Sequence, residues 1–107
     1  DGFTTTHPLI VDAIRTMVAK TPIEGYVAAT MAVRDFDITG QLPEITVPML
    51  LIPGADDKAT PLSEAKFISE TCPNADLIII ENASHLALVE KPKIFDDALV
   101  NFITSIG

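Results

Sequence analysis

Apolar side chains recur at helical spacing between residues 8 and 35. One helix face, on a helix that begins at Pro8, carries Leu9, Ile10, Ala13, Ile14, Met17 and Val18. Thr21-Pro22 ends this helix, because the residue before a proline is driven away from helical backbone angles. The next helix carries Ile23, Tyr26, Val27, Thr30 and Val33 on its inner side. The pattern therefore predicts two amphipathic helices, followed by a short turn that Asp37 caps and that ends at Gly40.

The pattern changes near residue 45, where helical spacing gives way to short continuous apolar runs. Residues 47–52 and 77–80 do not alternate, which is typical of strands covered on both faces in a parallel sheet. Between them, Thr60-Pro61 provides an N-cap and first position for a helix. That helix buries Leu62, Ala65, Ile68 and Cys72. A last helix begins near Pro92 with Ile94, Phe95, Ala98, Leu99, Phe102, Ile103 and Ile106 on one face.

This order of strand, helix, strand and helix predicts an α/β fold with a βαβα unit. A crossover between parallel strands is right-handed in nearly all proteins. Two parallel strands make a poor sheet, since stable sheets need more strands and cover on both faces. We therefore expect the chain to be incomplete as a domain, to have neighbouring strands elsewhere, and to be a possible homo-oligomer through its open edge.

The composition argues against several classes of protein. The 107 residues carry a formal charge of -8 and are 48% hydrophobic, which argues against disorder and against nucleic-acid binding. No apolar run approaches the roughly 20 residues of a membrane span. Asp1-Gly2-Phe3 carry no charged leader, so we expect a cytoplasmic protein. Cys72 is the single cysteine, so it has no partner for an internal disulfide or a cysteine-based zinc site. We expect no metal or cofactor.

Candidate chemistry lies in the loops that follow the two predicted strands. The carboxyl ends of parallel strands share one edge of the sheet, where open α/β folds bind ligands. Asp56 and Asp57 follow the first strand, and His85 follows the second. A carboxylate beside an imidazole is the orienting half of a Ser-His-Asp triad. The alternatives are a loop histidine bonded to a neighbouring carbonyl, and an Asp57 that only forms a turn or an N-cap.

Two polar neighbours of His85 have simpler interpretations. Ser84 lacks the geometry of a nucleophile elbow, so we interpret it as a loop hydrogen-bonding residue. Glu90 stands just before the last predicted helix, where a carboxylate suits the positive end of the helix dipole. His7 precedes a helix and is expected at the surface.

Three segments resemble α/β-hydrolases. Residues 47–61, VPMLLIPGADDKATP, are similar to the strand and loop that carry the triad acid, which in that family lies three residues after the glycine and so selects Asp57 over Asp56. Residues 82–86, NASHL, and 89–92, VEKP, resemble the histidine loop and final helix. Within the superfamily, TPIEGY at 21–26, RD at 34–35 and GADD at 54–57 most resemble 3-oxoadipate enol-lactonases.

The resemblance implies a hydrolase of a carboxylic ester or lactone, in particular the enol-lactone of 3-oxoadipate in the β-ketoadipate route of aromatic catabolism. Residues 1–42 would be the remainder of a helical cap, and residues 43–107 the C-terminal βαβα part of the core. His85 would be the triad base, and Asp57 would orient it. The partner would be a small ester or lactone.

The chain departs from the family because it contains no Gly-x-Ser-x-Gly. None of Ser63, Ser69, Ser84 and Ser105 is flanked by glycines, and the oxyanion-hole segment is absent as well. We therefore expect a second partner, an N-terminal segment of the same fold that supplies the serine and oxyanion hole, without which the chain is inactive. The competing hypotheses are a non-catalytic ligand-binding relative and a small α/β interaction domain.

Overall fold

The computed structural model describes residues 2–107, which form two compact units divided between Asp37 and Ile38. Residues 38–42 group with the second unit in the structure, and the predicted bounds of a cap at 1–42 and a core at 43–107 stay a prediction. Assignment of the first unit to a cap stays a prediction.

The first unit is helical. It contains α1 (Gly2–Thr6), α2 (Pro8–Ala19) and α3 (Ile23–Arg34), of which α2 and α3 are the two predicted amphipathic helices. None of the described residues of these helices is buried. The predicted inner faces are thus largely exposed, Leu9 to 85% and Ile23 to 76%, because the unit is too small to cover them. Nowhere in residues 2–107 is a helix both long and apolar enough to cross a membrane.

The second unit has the predicted alternation of strands and helices. A 3₁₀ segment (Thr39–Glu44) leads into β1 (Met49–Leu51), α4 (Leu62–Thr71), β2 (Ala75–Leu77), α5 (Ala87–Glu90) and α6 (Pro92–Ile106). The strands β1 and β2 are parallel and pair Met49 with Ala75 and Leu51 with Leu77. The predicted α/β class with two parallel strands is confirmed.

Three details of the second unit differ from the prediction. Strand β2 covers Ala75–Leu77 instead of the predicted run 77–80. The parallel pairing nevertheless continues past Leu77, because Ile78 N–H donates to Leu51 O at 2.9 Å and Ile80 pairs with Gly54 in an isolated bridge. The strands are half-buried rather than fully covered, since each has a single neighbour among the described residues. The short helix α5 was not predicted.

The core of the second unit lies directly under the loop that carries His85. Its buried centre consists of Ile80, Ala83 and Ala87, against which Ile52 and Phe95 pack. Because Ala83 and Ala87 flank His85 on both sides in sequence, burial of these small side chains anchors the histidine loop to the strands. Cys72, at the end of α4, is also buried, as expected for a small apolar side chain.

Candidate active site

The loops after β1 and β2 touch each other along their backbones. Ala55 N–H donates to Ile80 O and Asp56 N–H donates to Ala83 O, both at 2.9 Å. Gly54 makes this approach possible, since an added Cβ would lie 2.2 Å from Ser84 O and 2.4 Å from Ala83 O. The glycine is therefore required by the space between the two loops, and it fixes the distance between the acid and the histidine.

Asp57 is held by a set of donors from its own loop. Its Oδ1 accepts the N–H of Ala59 at 2.8 Å and the N–H of Thr60 at 3.0 Å, and its Oδ2 accepts the Thr60 hydroxyl at 2.8 Å. The side chain is only 5% exposed. These bonds orient the carboxylate and leave Oδ2 directed to the second loop.

The same donors keep Asp57 ionised. The backbone N–H of Thr60 is the largest cause that holds the pKa of Asp57 well below its ordinary value, while partial burial acts in the opposite direction. The bonds from His85, the Thr60 hydroxyl and the Ala59 N–H lower the pKa further. At neutral pH the group is therefore a carboxylate, which can only accept hydrogen bonds.

His85 completes the pair. Its Nδ1 lies 2.9 Å from Asp57 Oδ2 and 3.3 Å from the Thr60 hydroxyl oxygen. Because the Asp57 carboxylate only accepts, Nδ1 carries the proton, and in the neutral ring Nε2 is left with a free lone pair. The side chain is 57% exposed, so the ring is held at Nδ1 and open elsewhere. The arrangement can orient an imidazole and stabilise its protonated form.

The structure brings together the residues that the sequence singled out. Asp57 and His85 are adjacent, whereas Asp56 is exposed and contributes its backbone N–H to the loop contact. Asp57 also forms the turn that the alternative interpretation proposed, so the two interpretations describe one residue.

Two polar residues have different contacts from those that the sequence indicated. Thr60 was predicted to cap α4, but Pro61 holds that position and the Thr60 hydroxyl binds Asp57. The spacing of Asp57 and Thr60 is typical of a side-chain turn and was a usable signal. Glu90 was assigned to a helix dipole, but its carboxylate accepts hydrogen bonds from Ser84.

An open cavity of about 310 Å³ lies beside the acid–histidine pair within the second unit. Asp57, Thr60 and His85 line one side, and the end of β1 and the first turns of α4 line the rest. Its volume is at the lower end of the range of small-molecule sites. Among residues 2–107, no cluster of three or more His, Cys, Asp or Glu side chains could hold a metal ion.

Comparisons with known proteins agree with this architecture. No protein-family model matches the chain. The 3-oxoadipate enol-lactonase 2 of Acinetobacter baylyi is 34% identical over 98 residues, which are 92% of this chain and 36% of that protein. A protein of Pseudomonas savastanoi named "Putative carbamate hydrolase RutD" is 31% identical over 69% of this chain and 29% of its own length.

A solved structure gives the same result in three dimensions. The enol-lactonase from Burkholderia xenovorans superposes with a TM-score of 0.93 at 26% identity, over 96% of this chain and 39% of that one. The chain spans about a third of the length of the two curated relatives. The two strands are parallel, and the loops that carry Asp57 and His85 lie at their carboxyl ends. Together with these similarities, this shows that the chain belongs to the α/β-hydrolase superfamily and has the fold of its C-terminal portion.

Proposed function

We propose that the protein containing this chain is a serine-type hydrolase of carboxylic esters or lactones, in which His85 is the triad base and Asp57 its orienting carboxylate. The observation that carries this proposal is the 2.9 Å contact between Asp57 Oδ2 and His85 Nδ1. Asp57 is ionised, held by three donors from its own loop and nearly buried, as the acid of a triad needs to be.

In the proposed reaction, His85 handles the protons. Its Nε2 takes the proton of a serine hydroxyl as the oxygen attacks the substrate carbonyl, and Asp57 stabilises the resulting imidazolium. The proton then passes to the departing oxygen, which leaves an acyl-enzyme. Water attacks the acyl group as Nε2 takes its proton, and His85 returns that proton to the serine oxygen as the bond to the acyl group breaks. In a lactone the departing oxygen remains tethered to the acyl chain, so ring opening precedes deacylation.

The serine and the oxyanion hole are proposed to lie in a segment other than residues 1–107. The chain has no Gly-x-Ser-x-Gly, and its matches span about a third of the curated relatives. We therefore propose that residues 1–107 alone have no hydrolase activity. The first unit would be the remainder of a cap.

For the substrate, we propose the enol-lactone of 3-oxoadipate. Support comes from the segments at 21–26 and 54–57 and from the similarity to the Acinetobacter protein of that name. Steady-state hydrolysis of this lactone by the full-length protein tests the assignment. Turnover of a carbamate in its place would point to the function named for the Pseudomonas relative. Tight lactone binding without turnover would favour a non-catalytic ligand-binding protein.

The triad assignment is tested by labelling the full-length protein with a fluorophosphonate, which reacts with an activated serine. We expect His85→Ala to abolish labelling, whereas His7→Ala, at the other histidine of the chain, labels like the wild type. Asp57→Asn should lower kcat by about 10⁴-fold because it favours the wrong imidazole tautomer. The exposed Asp56→Asn serves as its matched control. Normal labelling of His85→Ala would refute the role of His85.

A further inference from the structure

The residue before His85 is tied to a carboxylate that the proposed mechanism does not use. Glu90 accepts two hydrogen bonds from Ser84, one from the backbone N–H to Oε2 and one from the hydroxyl to Oε1, the latter at 2.9 Å. Both residues are half-buried. A carboxylate that accepts from both the N–H and the hydroxyl of one residue fixes the backbone and the side chain of that residue.

The position of Glu90 makes this contact a closure of the histidine loop. Helix α5 starts two residues after His85, and its last residue is Glu90, whose N–H donates to Leu86 O at 3.0 Å. From there the carboxylate returns to Ser84, so residues 84–90 form a closed loop that contains His85. The helix dipole of α6 does not explain this geometry, because both carboxylate oxygens bind the loop.

Other contacts hold the loop on both sides of His85, through the buried Ala83 before it and the buried Ala87 after it. Asn82 has a positive φ of 54° at the turn, Ala83 is buried, and its carbonyl accepts the Asp56 N–H. After that point, the His85 ring is bonded only at Nδ1, to Asp57 and Thr60. Ser84 lies between these two anchors and next to His85, so its bonds to Glu90 help to set the direction in which the His85 side chain leaves the backbone.

We propose that Glu90 is a positioning residue, which fixes the backbone of His85 so that Nδ1 meets Asp57 and Nε2 faces the substrate. This inference rests on the proposed function. Glu90 acts through Ser84 and does not touch the reacting atoms. Losing its carboxylate should therefore affect the proton-transfer steps much more than the binding of substrate.

The test compares variants of the full-length protein in an ester- or lactone-hydrolysis assay, with rates expressed per folded molecule. We expect Glu90→Ala to lower kcat by about 10- to 100-fold with KM within about 2-fold, since a displacement near 1 Å costs up to that factor. Glu90→Gln should recover most of the activity, because its amide oxygen can accept the Ser84 N–H and its amide N–H can donate to the Ser84 hydroxyl oxygen. Ser84→Ala should fall between the two.

The controls separate this proposal from simple destabilisation and from failure of the proposed function. Glu70→Ala removes an exposed glutamate from the last turn of α4 and should leave kcat unchanged. If Glu90→Ala melts earlier but keeps wild-type kcat per folded molecule, or if Glu90→Gln is as impaired as Glu90→Ala, the positioning role is wrong. If His85→Ala is itself active, the proposed function has failed, and the Glu90 proposal with it.

Discussion

The contact between the two loops at Gly54 leads to the most demanding prediction. In Gly54→Ala, the new Cβ would lie 2.2 Å from Ser84 O, whereas real Cβ contacts essentially never fall below 3.0 Å. The opposing atoms are backbone, so relief requires the loops to separate by at least 0.8 Å. The glycine has no positive φ, so the effect comes from space and not from backbone conformation.

Separation of that size disrupts the bonds that join the loops. Ala55 N–H to Ile80 O and Asp56 N–H to Ala83 O each measure 2.9 Å, with little room to lengthen. At about 1 kcal/mol for each bond, with residual strain added, we expect Gly54→Ala to lower the free energy of unfolding by about 2–4 kcal/mol. The same displacement moves His85 from Asp57 and should reduce kcat by about 10²-fold in the folded fraction.

Urea unfolding and steady-state hydrolysis of the full-length variant measure the two effects separately. Gly25→Ala is the matched control, because Gly25 lies inside α3 with no neighbour within 4 Å of a built Cβ. It should stabilise the protein by about 0.5–1 kcal/mol through helix propensity, with activity unchanged. Wild-type stability and kcat in Gly54→Ala would show that the loops separate freely, and would refute the argument from close contact.

Two further predictions concern the groups around Asp57. Thr60→Val keeps the shape but loses the hydroxyl that binds Oδ2, so we expect kcat about 10-fold lower and a higher pKa of Asp57, while Thr60→Ser restores both. An NMR titration of the Asp57 carboxyl carbon reports the pKa, and equal rates for Val and Ser would contradict the role of the hydroxyl. Because the pKa of Asp57 is lowered on folding, its stabilising effect is present above the unfolded value near pH 4 and is lost as pH falls below it. Urea titrations from pH 7 to pH 2 should show a shallower loss of stability in Asp57→Asn than in the wild type, and parallel curves would contradict this linkage.

The sequence predicted the architecture wherever local pattern decides it. The apolar stripes of α2 and α3 gave their bounds, since Pro8 and Pro22 mark where helices begin and end. Topology placed Asp56 and Asp57 beside His85, because parallel strands deliver their next loops to one edge, and the family resemblance then selected Asp57. The helix bounds needed only periodicity, whereas the choice of Asp57 needed the family pattern as well.

What the sequence missed depends on contacts between segments. From its local sequence, the Thr60 hydroxyl could cap α4 or bind Asp57. The position of the loop in the fold decides that it binds Asp57. The contact of Glu90 with Ser84 needed helix α5, a single turn too short to give a periodic signal. The extent of β2 was misplaced because the strand includes the polar, exposed Asp76, whereas the apolar Ile80 pairs only in an isolated bridge to Gly54.

The acid–histidine pair is built entirely from bonds within residues 54–90, and this has a consequence for substrate choice. Gly54 sets the loop spacing, Thr60 holds Asp57, and Glu90 holds the backbone before His85. None of these contacts involves a group that would recognise one acyl chain over another, and relatives of different names match this chain. Thr60→Val should therefore lower kcat/KM for a lactone and for a simple aryl ester by the same factor, within about 2-fold. A loss confined to one substrate would mean that this stretch also takes part in selecting it.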